Sequence, residues 1–179
     1  MIGVLAGIIT IATGLHAYLA EKSRQQQSVA AEDRRLSRER ETFVRRVQVL
    51  MARADRGSRL SRIFLGTHAV DDSGTIDLDN WDDDESGWLE LQEGVKAVLN
   101  MLGTVVWSTD DFAMVGTDAQ DVMGDIELSV MQANHAAELM RLSPDRWKTQ
   151  MVGFLHALTS LEKECTYLIA RLAEEIERA

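Results

Sequence analysis

Residues 119–172, AQDVMGDIELSVMQANHAAELMRLSPDRWKTQMVGFLHALTSLEKECTYLIARL, decide the fold. In the first half Ala119, Met123, Ile126, Val130, Ala133, Ala137 and Met140 recur in alternate steps of four and three. In the second half Trp147, Met151, Phe154, Leu158, Leu161, Cys165, Leu168 and Leu172 do the same. That spacing places each set on one side of an α-helix. Between them, Ser143-Pro144-Asp145 predicts a helix start, with Ser at the cap, Pro at the first helical position and Asp toward the positive end of the dipole. So short a junction predicts antiparallel neighbours whose facing stripes form the main core. Upstream, Trp88, Leu91, Val95, Val98, Leu99, Leu102, Val105 and Val106 predict a third helix over about 88–107. Stripes of this kind are the mark of a core rather than of a cofactor pocket, and no cofactor is implied.

Further toward the N-terminus the pattern changes twice. Residues 71–87, DDSGTIDLDNWDDDESG, hold no helical period and read as an acidic loop. Residues 21–62 read as an exposed basic helix. Only Val29 and Leu36 mark an apolar step in its first part, whereas Phe43, Val47, Leu50 and Ala54 follow a 4-3-4 seam that can pack on the domain or on a twin chain. Gly57 is the expected break in that helix. With a single proline and these long periodicities, the fold class is all-α: an N-terminal transmembrane helix (1–20), a juxtamembrane helix (21–62), an acidic loop region (63–87) and a small antiparallel helical bundle (88–179).

The anchor is read from charge. Ile2 to Ala20 contains no Asp, Glu, Lys or Arg, and nineteen helical residues rise about 28 Å, close to the hydrocarbon thickness of a bilayer. A cleaved signal peptide fits poorly, because no basic residue precedes the run and Tyr18 or Leu15 would occupy a site that wants a small residue. Lys22, Arg24, Arg34, Arg35, Arg38 and Arg40 all follow the span, so positive charge retained inside predicts an outer N-terminus and a cytoplasmic C-terminal domain at the inner membrane. Gly3 and Gly7 form a G-x-x-x-G that would let two spans approach closely. Gly3, Gly7, Phe43, Val47 and Leu50 are therefore the candidate interaction residues, with a second copy or another membrane protein as partner.

Charge is unevenly placed. The formal net charge is −10, yet Glu21–Arg62 carries twelve basic residues against six acidic ones, +6, which leaves −16 for the remainder. Asp71–Glu93 has ten acidic residues and no basic one. Arm and loop either meet or stay as two solvated surfaces. Specific nucleic-acid binding is disfavoured by the mixed arm and the negative domain. The one cysteine, Cys165, permits no internal disulfide and lies in a core stripe, where it reads as a buried, inert thiol.

Catalytic signatures are missing from the sequence. Nucleophile elbow, phosphate loop, H-E-x-x-H and C-x-x-C do not occur. If Gly74 takes position six of a calcium loop, Asp71 falls at three, but Ala69 falls at one and Asn80 at twelve, so the bidentate glutamate is lacking. Weak cation binding by Asp71, Asp77, Asp79, Asp82, Asp83 and Asp84 is the residual metal candidate. His135 shares a second stripe on its helix with Leu128, Met131, Leu139 and Leu142 and reads as a structural histidine; His156 reads as exposed. Asp118, Asp121 and Asp125 share one face, which a metal-dependent hydrolase would need to complete from another helix.

The stretch Val98-Leu99-Asn100-Met101-Leu102-Gly103, followed about twenty residues later by Met123-Gly124-Asp125-Ile126, resembles paired segments of uncharacterised bacterial single-span membrane proteins. The likeness covers about half the chain and implies fold and topology only. The expectation is a membrane-tethered helical interaction protein acting by self-association or partner binding. The alternatives are a membrane-bound sensor whose acidic loop takes a cation or basic ligand, and the hydrolase above.

Overall fold

The computed structural model of the chain describes the backbone over 2–68 and 85–179, and side chains over 19–67, at 89, and over 91–143 and 145–179. Among the described residues every regular element is helical. In chain order these are α1 (Ile2–His68), α2 (Glu85–Leu102), α3 (Thr109–Met114), α4 (Thr117–Leu142) and α5 (Trp147–Arg178), with one 3-10 turn, Pro144–Arg146, between the last two. The chain divides into two units, Met1–Phe43 and Val44–Ala179.

The first unit is helix alone. From Leu19 to Thr42 every described side chain is exposed, Val29 and Leu36 included. Local pairs such as Arg35–Glu39, 3.2 Å apart, are what such a helix has for support. Among the described residues no helix is long and apolar enough to cross a membrane. From Glu21 onward charged residues recur along α1 and break any apolar run. The transmembrane anchor expected over 1–20 therefore has no support in the fold. Its residues are helical from Ile2, but the side chains of residues 1–18, those of Gly3 and Gly7 among them, lie outside the described residues.

The second unit holds the core. α4 and α5 form the expected antiparallel pair: the Gly116 N–H at the start of α4 donates to Glu175 Oε1, near the end of α5, at 2.9 Å. Met151, Phe154, Leu158, Leu161, Cys165, Leu168 and Leu172 are all fully buried, as are Ala119, Met123, Ile126 and Ala133 opposite. The Ser-Pro-Asp signal is displaced by a few residues. Ser143 caps the C-terminus of α4, its N–H reaching the Leu139 carbonyl at 3.0 Å, and Pro144 opens the 3-10 turn, so α5 begins only at Trp147. Pro144 favours the tight turn because it supplies no N–H and fixes φ.

The last part of α1 packs on α5. Gly57 faces Cys165, Ser58 Oγ lies 3.5 Å from Thr166 Oγ1, Arg62 Nε donates to Glu162 at 2.8 Å, and Phe64 meets Phe154 edge to face with centroids 5.4 Å apart. Numbers rise on one helix as they fall on the other, so the two run antiparallel. Gly57 does not break the helix. A Cβ there would stand 3.0 Å from Cys165 Sγ and 3.5 Å from the Val105 methyls, so the missing side chain is what allows the approach.

α2 ends at Leu102 rather than near residue 107. Gly103, Thr104 and Val105 close it with a tightened turn, Val105 N–H donating to the Leu102 carbonyl at 2.8 Å. Beyond it Val105 and Trp107 are buried while Val106 is exposed, the alternation of an extended strand of chain. The loop region expected over 63–87 is helical at both of its ends, since α1 continues to His68 and α2 begins at Glu85, and 69–84 lie outside the described residues.

Candidate interaction surface

The seam Val47, Leu50 and Ala54 is fully buried inside the chain's own second unit. Of the two choices open to it, packing at home or on a twin, the fold takes the first. Phe43 is half-buried and belongs to the other unit. Asp71, Asp77, Asp79, Asp82, Asp83 and Asp84 lie outside the described residues. Among the described residues no three His, Cys, Asp or Glu side chains gather as metal ligands, and Asp118, Asp121 and Asp125 are exposed along α4.

What the fold leaves uncovered is the second stripe of α4. Leu128 is 51% exposed, Met131 67% and Leu142 61%; His135 between them is exposed and Leu139 half-buried. Met131 stands two residues from the fully buried Ala133, and at about 100° per residue those two point to opposite sides of the helix. His135 is thus a surface residue of this stripe, not a histidine satisfied in the core. Gly124 extends the stripe by one turn, and nothing lies within 4 Å of where its Cβ would be. α4 is apolar on both sides, a pattern that ordinarily means burial on both.

Beside the stripe, α2 and α4 enclose a groove of about 370 Å³ lined by Leu91, Val95, Leu99, Ala137 and Met140 and rimmed by Lys96. On its edge Arg141 holds Glu138 with two hydrogen bonds, of 2.6 and 3.0 Å. That guanidinium draws the Glu138 carboxyl below its ordinary range, and the carboxylate in turn raises Arg141.

Elsewhere in the second unit a polar junction ties α1 to the start of α3. Arg53 of α1 donates to Asp111 Oδ2 at 3.0 Å and to the Val106 carbonyl at 3.4 Å. Asp111 also accepts the Ser108 N–H at 2.9 Å, while Ser108 Oγ accepts the Asp111 N–H at 3.2 Å, a capping box that starts α3. Desolvation, the largest single influence, pushes Asp111 upward, but the Ser108 hydrogen bonds and the Arg53 charge together hold it below the ordinary carboxylate value. Cys165 is the opposite case. Burial first, and then the neighbouring Glu164 charge, push its thiol up to about 12, against a smaller opposing hydrogen bond from Ser58. It is no nucleophile at neutral pH.

Ser108-x-x-Asp111 was readable as a helix start. The Arg53–Asp111 pair was not, because it joins residues 58 apart in sequence. No family model, no curated protein and no solved structure matches the chain, so the reading of this surface rests on its own chemistry.

Proposed function

We infer that the protein is a non-enzymatic helical interaction protein. It is held at the inner membrane face by its N-terminal helix, and its C-terminal unit acts in the cytoplasm by self-association or by binding another membrane protein. The observation that carries the reading is the uncovered apolar stripe of α4, opposite the core and flanked by polar side chains. Contiguous exposed apolar surface rimmed by polar residues marks a protein or membrane contact more often than chance exposure. The tether is supported by the nineteen charge-free residues Ile2–Ala20 and by the lysine and arginines that follow them.

Chemical cross-linking of the full chain in native membranes tests this. The expected result is a specific cross-linked species, either a dimer or a complex with one other membrane protein. A strictly monomeric chain that captures nothing, or one recovered entirely in the soluble fraction without detergent, refutes the interaction or the tether respectively.

A further inference from the structure

We propose that the uncovered stripe of α4 seats a second copy of this chain, packed antiparallel about a two-fold axis level with residues 133 and 134. The inference rests on the interaction reading and gives it a surface and a partner.

Shape supports it first. In this register the open space at Gly124 lies opposite the exposed Leu142 of the second copy, Leu128 opposite its Leu139, and Met131 opposite its His135. Small meets large at each end and leucine meets leucine between, twice over because a two-fold contact repeats every pairing. Each of these pairs also lies on the same flank of its helix, as antiparallel packing about such an axis requires.

Charge then sets the direction. The first half of α4 carries Asp118, Asp121, Asp125 and Glu127 and no basic residue, whereas its far end and the turn beyond carry two ion pairs, Glu138 with Arg141 and Asp145 with Arg146, and no net charge. Parallel pairing would stack the four acids on four acids. The antiparallel arrangement sets the acidic half level with that balanced end instead, and brings Glu127 onto the flank where the second copy's Arg141 lies. Glu127 and Glu138, which also come level, repel less because Arg141 already holds Glu138.

The test uses the full chain, purified in detergent and mildly oxidised. Cys165 stays in place because it is buried. The double variant Leu128→Cys/Leu139→Cys should form a disulfide-linked dimer. Each single variant should not, since like residues then stand about 16 Å apart along the axis, beyond disulfide reach. The same offset of about 16 Å separates 128 from 139 within one helix, so the double variant cannot close on itself. Met131→Glu, at an exposed site, should keep its helix content and melting temperature and lower the dimer association constant at least about tenfold. Single variants that link as readily as the double would mean parallel pairing and overturn the proposal. So would the lack of any linkage in a folded double variant, or a dimer indifferent to Met131→Glu. If these variants fail while the unaltered chain still cross-links in membranes, the interaction reading stands without this surface. If the unaltered chain is monomeric and captures nothing, both fall.

Discussion

α4 and α5 lie side by side, joined by one 3-10 turn, and differ in how they spend their apolar residues. α5 keeps one stripe, and from Met151 to Leu172 all of its members are fully buried. α4 divides its apolar residues between a buried side through Met123, Ile126 and Ala133 and an exposed one through Leu128, Met131 and Leu142. The same residue types therefore carry different meanings. On α5 they hold the unit together; on α4 three of them, Leu128, Met131 and Leu142, are available for something outside it.

The contrast breaks most visibly at Phe154, which is fully buried and packs edge to face on Phe64. Phe154→Ala should cost about 3–5 kcal/mol in denaturant unfolding of the full chain, by lost burial plus a cavity. A loss of under about 1 kcal/mol would mean that α5 is not the core helix described.

Next is the α1–α5 approach. Gly57→Ala should destabilise by about 1–3 kcal/mol, because the new Cβ would stand 3.0 Å from the fully buried Cys165 Sγ and 3.5 Å from the Val105 methyls, so that packed side chains or α1 itself must shift. Removing that sulfur as well, in Gly57→Ala/Cys165→Ala, should recover part of the loss. Simple addition of the two single effects would show that they do not touch.

The thiol also has a signature in alkali. The folded chain holds the Cys165 proton up to about 12, against an ordinary value of 9.0. The resulting stability is fully present below pH 9.0 and is lost as pH rises toward about 12, with a slope of at most about 1.4 kcal/mol per unit. Cys165→Ala should flatten that part of the stability profile relative to the unaltered chain.

In acid the corresponding group is Asp111. Its depressed value means a contribution present above the ordinary carboxylate range and lost as pH falls through the folded value. Asp111→Ala should cost about 1 kcal/mol, the worth of a helix cap, and should remove that acid dependence.

The smallest effect on stability is expected at Leu128. Leu128→Gln should change unfolding by no more than about 0.5 kcal/mol while reducing cross-linking in membranes. A large loss of stability there would place Leu128 in the core and erase the difference between the two helices.

Much of this was legible in the residue order. Both long helices, their antiparallel pairing and nearly all of the α5 core follow from steps of four and three, because burial on one side imposes that period. The short-range punctuation was less legible. Gly57 resembled a break because a glycine inside a helix is ordinarily a cost, and what makes it useful is a sulfur on another helix. Val105 and Val106 continued the helical pattern of α2 by accident, since one buried and one exposed valine suit an extended segment equally well. The stripe through His135 was visible as a stripe, but whether anything covered it depended on where α1, α2 and α5 would lie. Periodicity shows that a face is apolar and does not show what meets it.

The shielding of Cys165 makes that sulfur a reporter of breathing motions. A small alkylating reagent can reach it only when α1 lifts from α5 or the unit opens altogether. Its labelling half-life under native conditions would therefore time those openings. If a second chain docks on α4 without disturbing the α1–α5 seam, the same half-life should lengthen only as far as docking steadies the whole unit.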